Sequence, residues 1–490
     1  MSTLKRIVKN AGVTFFGNNL LKVLSMVLII LIARYLGDVE YGKFTFAISF
    51  TGLFFILMDM GTRILIVRDI AKQKDKAPKI VANVLMFKLI TSVIVYGVII
   101  AVAYMLQYNK ETIMAVAIAA LGLVFDSFST TIGSIYQAYE RLEFPVVTKT
   151  IRILIRLAIT IPILLAGMGF FPVLIIYTGV QLLNLMVNLV ICYTKFVSLN
   201  FDFDKEMIIS ILRRAFPFFL SGIFVTVYFR IDITLMSKLA PLALKGVYEN
   251  VSRDAVIGWY SSAYNLLDAA TSLPVAVSAA ILPVAITFYR DSKDKLKELY
   301  HLSIKYLTYL SVPMAFGITL LADKIIILLY KQDYSNATLS LQILIWTMIP
   351  LCINYMMGAF LIAVHQEKKG VIVLFLNAVV NFVLNLFLIP KYSLYGAAAA
   401  TVLTELFYFG GYYYIMSKHL APIDFPDIFL RPMLASALMA AVILLLIQFN
   451  LFILAGIGIV TYGLTLLLLG AFDYKDFKFI ERVIDIIKRR

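Results

Sequence analysis

Ionisable side chains interrupt several of the long apolar stretches of this 490-residue chain. A charged group at the centre of a bilayer costs on the order of 3 kcal/mol on insertion scales, so it usually faces a hydrated cavity, a substrate or an opposite charge. Such residues therefore predict a charge-lined route or a network of ion pairs. The candidates are Lys22, Asp59, Arg63, Lys88, Asp126, Arg230, Asp232, Asp268 and Glu405.

The spacing of these residues predicts which of them can satisfy one another. Asp59 and Arg63 are four residues apart, on one face of a helix, and can pair with each other. Arg230 and Asp232 are two residues apart, on nearly opposite faces, so neither can satisfy the other. Arg230 is therefore interpreted as a residue that lines a cavity.

The composition excludes most classes of protein. Hydrophobic residues make up 61% of the chain and charged residues 15%, which is too apolar for a soluble protein or a disordered chain. The apolar runs are continuous, without the alternation of a transmembrane β-barrel. A polytopic helical membrane protein remains, and the net charge of +15 is then explained by basic loops, not by nucleic-acid binding.

Fourteen apolar runs are long enough to cross a bilayer as helices. The loops on the side of the N-terminus carry most of the Lys and Arg residues, which predicts that both termini are cytoplasmic in a multi-pass protein of the plasma or inner membrane. Arg152 and Arg156 begin the fifth run and are expected to snorkel to its cytoplasmic interface. The predicted spans are 12–36, 43–66, 80–106, 112–136, 150–168, 171–194, 214–239, 257–287, 302–322, 337–364, 370–389, 394–417, 430–449 and 451–472.

An internal repeat divides the chain into two halves. Asp38-x-x-x-Gly42 opens the second predicted helix, and Asp254-x-x-x-Gly258 opens the eighth. An even number of helices separates the copies, which predicts two parallel six-helix repeats and two further C-terminal helices. The predicted domains are an N-terminal lobe (1–194), a cytoplasmic linker (195–213), a C-terminal lobe (214–420), and a last segment with helices thirteen and fourteen and a basic tail (421–490).

No pattern in the sequence predicts catalysis. Asp202-x-Asp204 has the spelling of a metal-binding glycosyltransferase motif, but it stands in a short linker without a catalytic domain, and no P-loop is present. Cys192 and Cys352 lie in apolar stretches, which argues against a disulfide or thiolate site. The chain is therefore expected to be no enzyme and to hold no metal or cofactor. Ion gradients, the membrane potential or consumption of the substrate then remain as energy sources, with H+ and Na+ as the candidate coupling ions.

Four segments resemble the oligosaccharide flippases, the Wzx-like polysaccharide transporters of the multidrug/oligosaccharidyl-lipid/polysaccharide exporter superfamily. The resemblance extends over about residues 5–420, with one departure at Ser393, where relatives commonly carry Gly and where only the turn is expected to differ. The segments are Ala33-Arg34-Tyr35-Leu36-Gly37, Asp59-Met60-Gly61, the run from Gly258 to Tyr264, and Asn381-x-x-Leu-Asn385 with Ile389-Pro390-Lys391-Tyr392 and the small residues from Gly396.

The resemblance implies a V-shaped pair of lobes working by alternating access. The implied cargo is a polyprenyl-diphosphate-linked oligosaccharide, moved from the cytoplasmic to the external leaflet for cell-surface polysaccharide or glycan assembly. Membrane lipids and glycan-assembly enzymes are the other expected partners.

Intramembrane cations suit an anionic diphosphate, because Arg and Lys bind phosphate by charge-assisted hydrogen bonds. By position, Arg63 and Arg230 are the first predicted substrate contacts, followed by Lys22, Lys88 and Arg34. The predicted counterions, or sites for a coupling ion, are Asp59, Asp232 and Asp268.

Three alternatives stay open at this point. Two belong to the same superfamily: a cation-coupled multidrug exporter and a flippase for the peptidoglycan lipid precursor. The third is a membrane-embedded glycan polymerase or glycosyltransferase, although such enzymes typically carry a large external catalytic loop that this chain lacks.

Overall fold

The computed structural model describes residues 3–197 and 203–474, together with 476, 478, 479 and 481. These residues are almost entirely helical, with one isolated bridge between Leu244 and Tyr248. Part of the predicted linker, including Asp202, and most of the predicted basic tail lie outside the described residues.

Sixteen α-helices are present in the described part of the chain. They are α1 (Thr3–Gly52), α2 (Phe55–Asp59), α3 (Thr62–Lys72), α4 (Ala77–Met105), α5 (Lys110–Ala138), α6 (Glu143–Leu165), α7 (Phe170–Lys195), α8 (Lys205–Leu239), α9 (Arg253–Ala270), α10 (Ser272–Asp291), α11 (Lys293–Tyr330), α12 (Ala337–Leu344), α13 (Met348–Ala363), α14 (Glu367–His419), α15 (Phe425–Leu445) and α16 (Leu451–Leu468).

Eleven helical segments among the described residues are long and apolar enough to cross a membrane. Two of them, 19–59 and 367–419, each overlap two of the predicted spans. The predicted span 150–168 overlaps α6, which is absent from the eleven because Lys149, Arg152 and Arg156 make it too charged. The chain is thus a multi-pass membrane protein. The two merged segments and the charge of α6 together account for the difference between eleven and fourteen.

Two long helices each contain one residue at which the chain turns. Gly37 lies inside α1 with a φ of 79°, and Ser393 lies inside α14 with a φ of 55°. Glycine adopts such left-handed angles readily, whereas a residue with a Cβ is strained there. The buried Ser393 hydroxyl accepts a hydrogen bond from the Tyr248 hydroxyl at 2.6 Å. The Ser at this turn thus replaces glycine's conformational freedom with a side-chain contact.

We expect Ser393→Gly to be more stable than Ser393→Ala by about 1–2 kcal/mol. Both variants lose the hydrogen bond to Tyr248, but only glycine relieves the backbone strain, which typically amounts to about 1–3 kcal/mol. Unfolding of the purified variants in detergent measures the difference. Equal stability of the two variants would show that the turn carries no strain.

The second predicted helix is interrupted where the sequence suggests continuity. Helix α2 ends at Asp59, Met60 and Gly61 have positive φ angles of 47° and 68°, and α3 begins at Thr62. A Cβ at Gly61 would lie 2.7 Å from the Phe219 backbone nitrogen of α8. Only glycine meets both demands at this position, so the break and the close approach of α8 require the same residue.

The chain packs as two compact units. The first comprises 1–242 and 250–258, and the second comprises 243–249 and 259–490. By contacts, α8 therefore belongs with α1–α7, whereas the sequence assigned its span to the C-terminal lobe. The domain boundaries given above remain a prediction.

The two copies of the repeated motif meet within the first unit. A Cβ on Gly42 would overlap the Asp254 carbonyl oxygen, and a Cβ on Gly258 would overlap the Asp38 carbonyl oxygen. Each glycine thus packs on the backbone of the aspartate in the other copy. This reciprocal backbone contact explains why each motif has a glycine at this position.

Candidate functional site

A buried ion pair lies beside the break between α2 and α3. The ammonium group of Lys88, on α4, is 3.3 Å from the carboxylate of Asp59. It also donates to the Ser127 carbonyl oxygen at 3.1 Å and to the Thr131 hydroxyl, both on α5. Lys88 and Asp59 are both buried, so Asp59 serves as the counterion of Lys88 in this structure.

The structure separates Asp59 from Arg63. Because the helix breaks at Met60 and Gly61, the two residues lie on different helices, and the pair that their spacing allowed is not formed in the described part of the chain. Arg63 is exposed and has no carboxylate within salt-bridge distance among the described residues. Its charge acts on Lys88 by repulsion. The break therefore leaves the Arg63 guanidinium group without a carboxylate partner among the described residues, next to the ion pair of Lys88 and Asp59.

Arg230 is half-buried on α8 and packs over the end of α1. A Cβ on Gly52 would come within 2.8–2.9 Å of three atoms of the Arg230 guanidinium group. In the part of the chain that the structure describes, this group forms no ion pair. Gly52 thus leaves the space that the guanidinium group occupies.

The other predicted site residues are distributed over both units. Lys22 and Arg34 are half-buried on α1. Asp232 is buried, and its carboxylate accepts a hydrogen bond from the Ile233 backbone N–H at 2.8 Å. Asp268 is exposed on α9 in the second unit. The structure therefore brings Arg63, Lys88 and Asp59 together, and Asp268 lies in the other unit.

A second cluster of charged residues, on α6, was only partly recognised from the sequence. The Arg152 guanidinium group lies 3.0 Å from an Asp126 carboxylate oxygen and 2.8 Å from the Gln181 side-chain oxygen. Arg156 lies over the Tyr177 ring, with its Cζ atom 4.5 Å from the ring centroid. These contacts lie within the first unit, and the expected position of both arginines at the membrane interface stays a prediction. The spacing of Lys149, Arg152 and Arg156 on one helical face was the signal that could have identified the group.

Some buried polar residues of the second unit bond to one another. A Glu405 carboxylate oxygen accepts a hydrogen bond from Asn354 at 2.7 Å, and the Asn381 side chain donates to the Thr404 hydroxyl at 3.4 Å. The sequence also did not identify Lys305 as buried, and its ammonium group lies 2.7 Å from Asp476. These contacts hold helices together in an apolar environment.

In the linker motif Asp202-x-Asp204, the second aspartate has a structural role. The Asp204 carboxylate accepts a hydrogen bond from the Met207 backbone N–H, which caps α8, and pairs with Lys79 at 2.8 Å. These interactions, led by the hydrogen bond from Lys79, hold the pKa of Asp204 below its ordinary value. Asp202 lies outside the described residues.

Comparison with known proteins shows one family and several distant relatives. Residues 7–289 match the family model described as polysaccharide biosynthesis protein. A probable low-salt glycan biosynthesis flippase, Agl15 of Haloferax volcanii, is 25% identical over 33% of this chain and 34% of its own length. The lipid II flippase MurJ of Bacillus subtilis is 23% identical over 41% of this chain and 37% of its own length. These two matches thus cover about a third of each relative.

Two solved structures have the same fold along most of the chain. A lipid II flippase MurJ in an inward closed conformation matches with a TM-score of 0.75 and 17% identity, covering 94% of this chain and 98% of that chain. An inward-facing multidrug resistance MATE family transporter matches with a TM-score of 0.64 and 16% identity, covering 81% and 94%. The arrangement of helices is therefore that of MurJ and MATE transporters.

Proposed function

Because the family model matches more than half of the chain, this protein belongs to the polysaccharide biosynthesis protein family of flippases, and we propose that it moves a polyprenyl-diphosphate-linked oligosaccharide from the cytoplasmic to the external leaflet. The product would serve the assembly of a cell-surface polysaccharide or glycan. Relatives of this kind are transporters, and the proposal likewise involves no catalytic step.

The proposal rests on two guanidinium groups of the first unit that have no carboxylate partner among the described residues. Arg63 lies on α3 just after the break, and Arg230 lies on α8, which packs against α3. The Arg230 guanidinium group itself lies against Gly52 of α1, and neither arginine forms an ion pair with a described residue. A diphosphate offers several acceptor oxygens to such groups and neutralises them. Lys88 is already neutralised by Asp59, which leaves the two arginines as the main anion contacts.

The proposed transport cycle is alternating access by two parallel six-helix repeats in a fourteen-helix protein with both termini cytoplasmic. The reciprocal packing of Gly42 and Gly258 on the aspartates of the opposite motif supports the repeat. In the predicted topology these motifs lie at the external ends of helices two and eight. Their contact would close the external side, and its separation would open that side.

Coupling to H+ or Na+ remains part of the proposal. Asp59 is occupied by Lys88, whereas Asp232 and Asp268 lie on helices of different units. Lipids of the membrane and glycan-assembly enzymes that supply or use the glycolipid are the proposed partners.

We expect Arg63→Gln and Arg230→Gln each to slow flipping of a polyprenyl-diphosphate-linked glycan by about 100-fold. Loss of a charge-assisted contact in a poorly hydrated site costs about 2–3 kcal/mol, and each 1.4 kcal/mol is a factor of ten. Flipping is measured in proteoliposomes by protection of a labelled glycolipid from an external reagent. Arg290→Gln, at an exposed position, is the control. Wild-type rates in both single variants would contradict the proposed roles.

A peptidoglycan lipid precursor is the second candidate substrate, because the MurJ structure shares the fold over nearly its whole length. The same liposomes loaded with lipid II distinguish the two substrates. A cationic drug fits less well, since the open groups near the break are themselves cations.

A further inference from the structure

Three cations lie on one face of α6. Lys149, Arg152 and Arg156 have i, i+3, i+7 spacing, which places them on a single helical face. At a rise of about 1.5 Å per residue they lie roughly 9, 14 and 20 Å beyond the start of the helix. These three residues form the cationic face of α6, which extends about 10 Å along the first two thirds of the helix.

These three cations have too few counterions among the described residues. Only Arg152 forms an ion pair, with Asp126 of α5. The Nε atom of Arg156 is buried and has no hydrogen-bond partner, although its group lies over the Tyr177 ring. Lys149 is exposed and forms no ion pair. A buried donor without a partner is costly, which indicates that this face is adapted to an anion.

The cationic face of α6 is electrostatically continuous with the proposed diphosphate site. The charges of Arg63 and Arg152 act on Lys149 by repulsion, and Arg63 also repels Lys88. Five cations in this region are thus accompanied by two carboxylates, those of Asp59 and Asp126. The diphosphate is assigned to Arg63 and Arg230, so Lys149 and Arg156 are the cations of this region that have no anion among the described residues.

We propose that Lys149 and Arg156 form a second anion subsite, which binds a singly charged acidic group on the glycan, the carboxylate of a uronic-acid type of sugar. The proposal rests on the proposed function and narrows its substrate class to acidic oligosaccharides. The planar guanidinium group of Arg156 suits a carboxylate because its donors match the two oxygens. Arg152, held by Asp126 and Gln181, keeps the local potential positive without contacting the sugar.

The test compares three glycolipids that share one polyprenyl diphosphate. Their disaccharides end in glucuronate, in glucose, or in glucose phosphate. Flipping is measured in proteoliposomes for the wild-type protein, Arg156→Gln and Lys149→Gln. Arg141→Gln is the matched control, because Arg141 lies just before α6 on an exposed turn and pairs with Glu143. Lys149 is exposed, so its variant carries the test even where Arg156→Gln fails to fold.

We expect both variants to slow flipping of the glucuronate lipid at least tenfold while changing that of the glucose lipid less than twofold. Equal slowing of both lipids, or no slowing of either, would overturn the second subsite. Slowing confined to the phosphate-bearing lipid would contradict the proposal that the subsite binds a carboxylate. A wild-type protein that flips none of the three lipids would instead contradict the proposed function itself.

Discussion

Replacing Lys88 with Met is expected to lower the free energy of unfolding by about 3–5 kcal/mol, because it leaves the buried carboxylate of Asp59 without its counterion. The Ser127 carbonyl and Thr131 hydroxyl groups would lose a donor as well. A second substitution, Asp59→Asn, should recover part of this loss, since it removes the unpaired charge. Unfolding of the purified variants in detergent measures both effects.

A surface pair provides the control for this experiment. Lys43 and Glu111 are 2.8 Å apart, but their side chains are 25% and 42% exposed. Exposed pairs contribute about 0–1 kcal/mol, so Lys43→Met should have a small effect. If Lys88→Met were as mild as Lys43→Met, the pair of Lys88 and Asp59 would not support the fold. Failure of Asp59→Asn to recover stability would assign the loss to packing instead.

Adding a single methyl group at Gly42 or Gly258 is expected to slow flipping by about tenfold or more. Each Cβ would overlap a backbone carbonyl oxygen of the opposite motif. Because a backbone atom cannot rotate away as a side chain can, the overlap is relieved only if the two motifs move apart. Overpacking typically costs about 1–3 kcal/mol, which would shift the population away from the state in which the motifs meet. Flipping of the glycolipid by Gly42→Ala and Gly258→Ala measures the first effect.

Labelling measures the shift in population. A cysteine introduced at the buried position Phe46 should react faster with an impermeant maleimide in the Gly42→Ala background. The two native cysteines, Cys192 and Cys352, are buried, which keeps the background low. Gly133→Ala is the matched control, because nothing lies within 4 Å of its Cβ position. Equal behaviour of Gly42→Ala and Gly133→Ala would show that the motifs do not close the external side.

Long apolar runs predicted the helices well, since hydrophobic length is a property of each segment alone. The turn at Ser393 was also marked in the sequence, as a departure from glycine. The break at Met60 and Gly61 was not predicted, because both residues fit a helical pattern and only the packing of α8 against Gly61 reveals the need for a positive φ. Local periodicity therefore gave the elements but missed an interruption that depends on a tertiary contact.

Charge pairing was predicted less well than the helices. The sequence suggested Arg63 as the partner of Asp59, four residues away, whereas the partner is Lys88, twenty-nine residues away. Spacing along one helix identifies neighbours only while that helix is continuous. Arg63 and Arg230 were nevertheless placed at membrane depth from the sequence, and the structure leaves both without an ion pair among the described residues.

The charges on α6 have a consequence for how the protein is made. Each Lys or Arg near the middle of a helix adds about 2.5–3.5 kcal/mol to its insertion from the translocon, so a segment with three of them enters lipid poorly by itself. Asp126 precedes α6 in the chain and Gln181 follows it, and both bind Arg152. Insertion of α6 into the lipid would therefore be delayed at the translocon until α7 has been synthesised. Helices α5, α6 and α7 would then enter the lipid together.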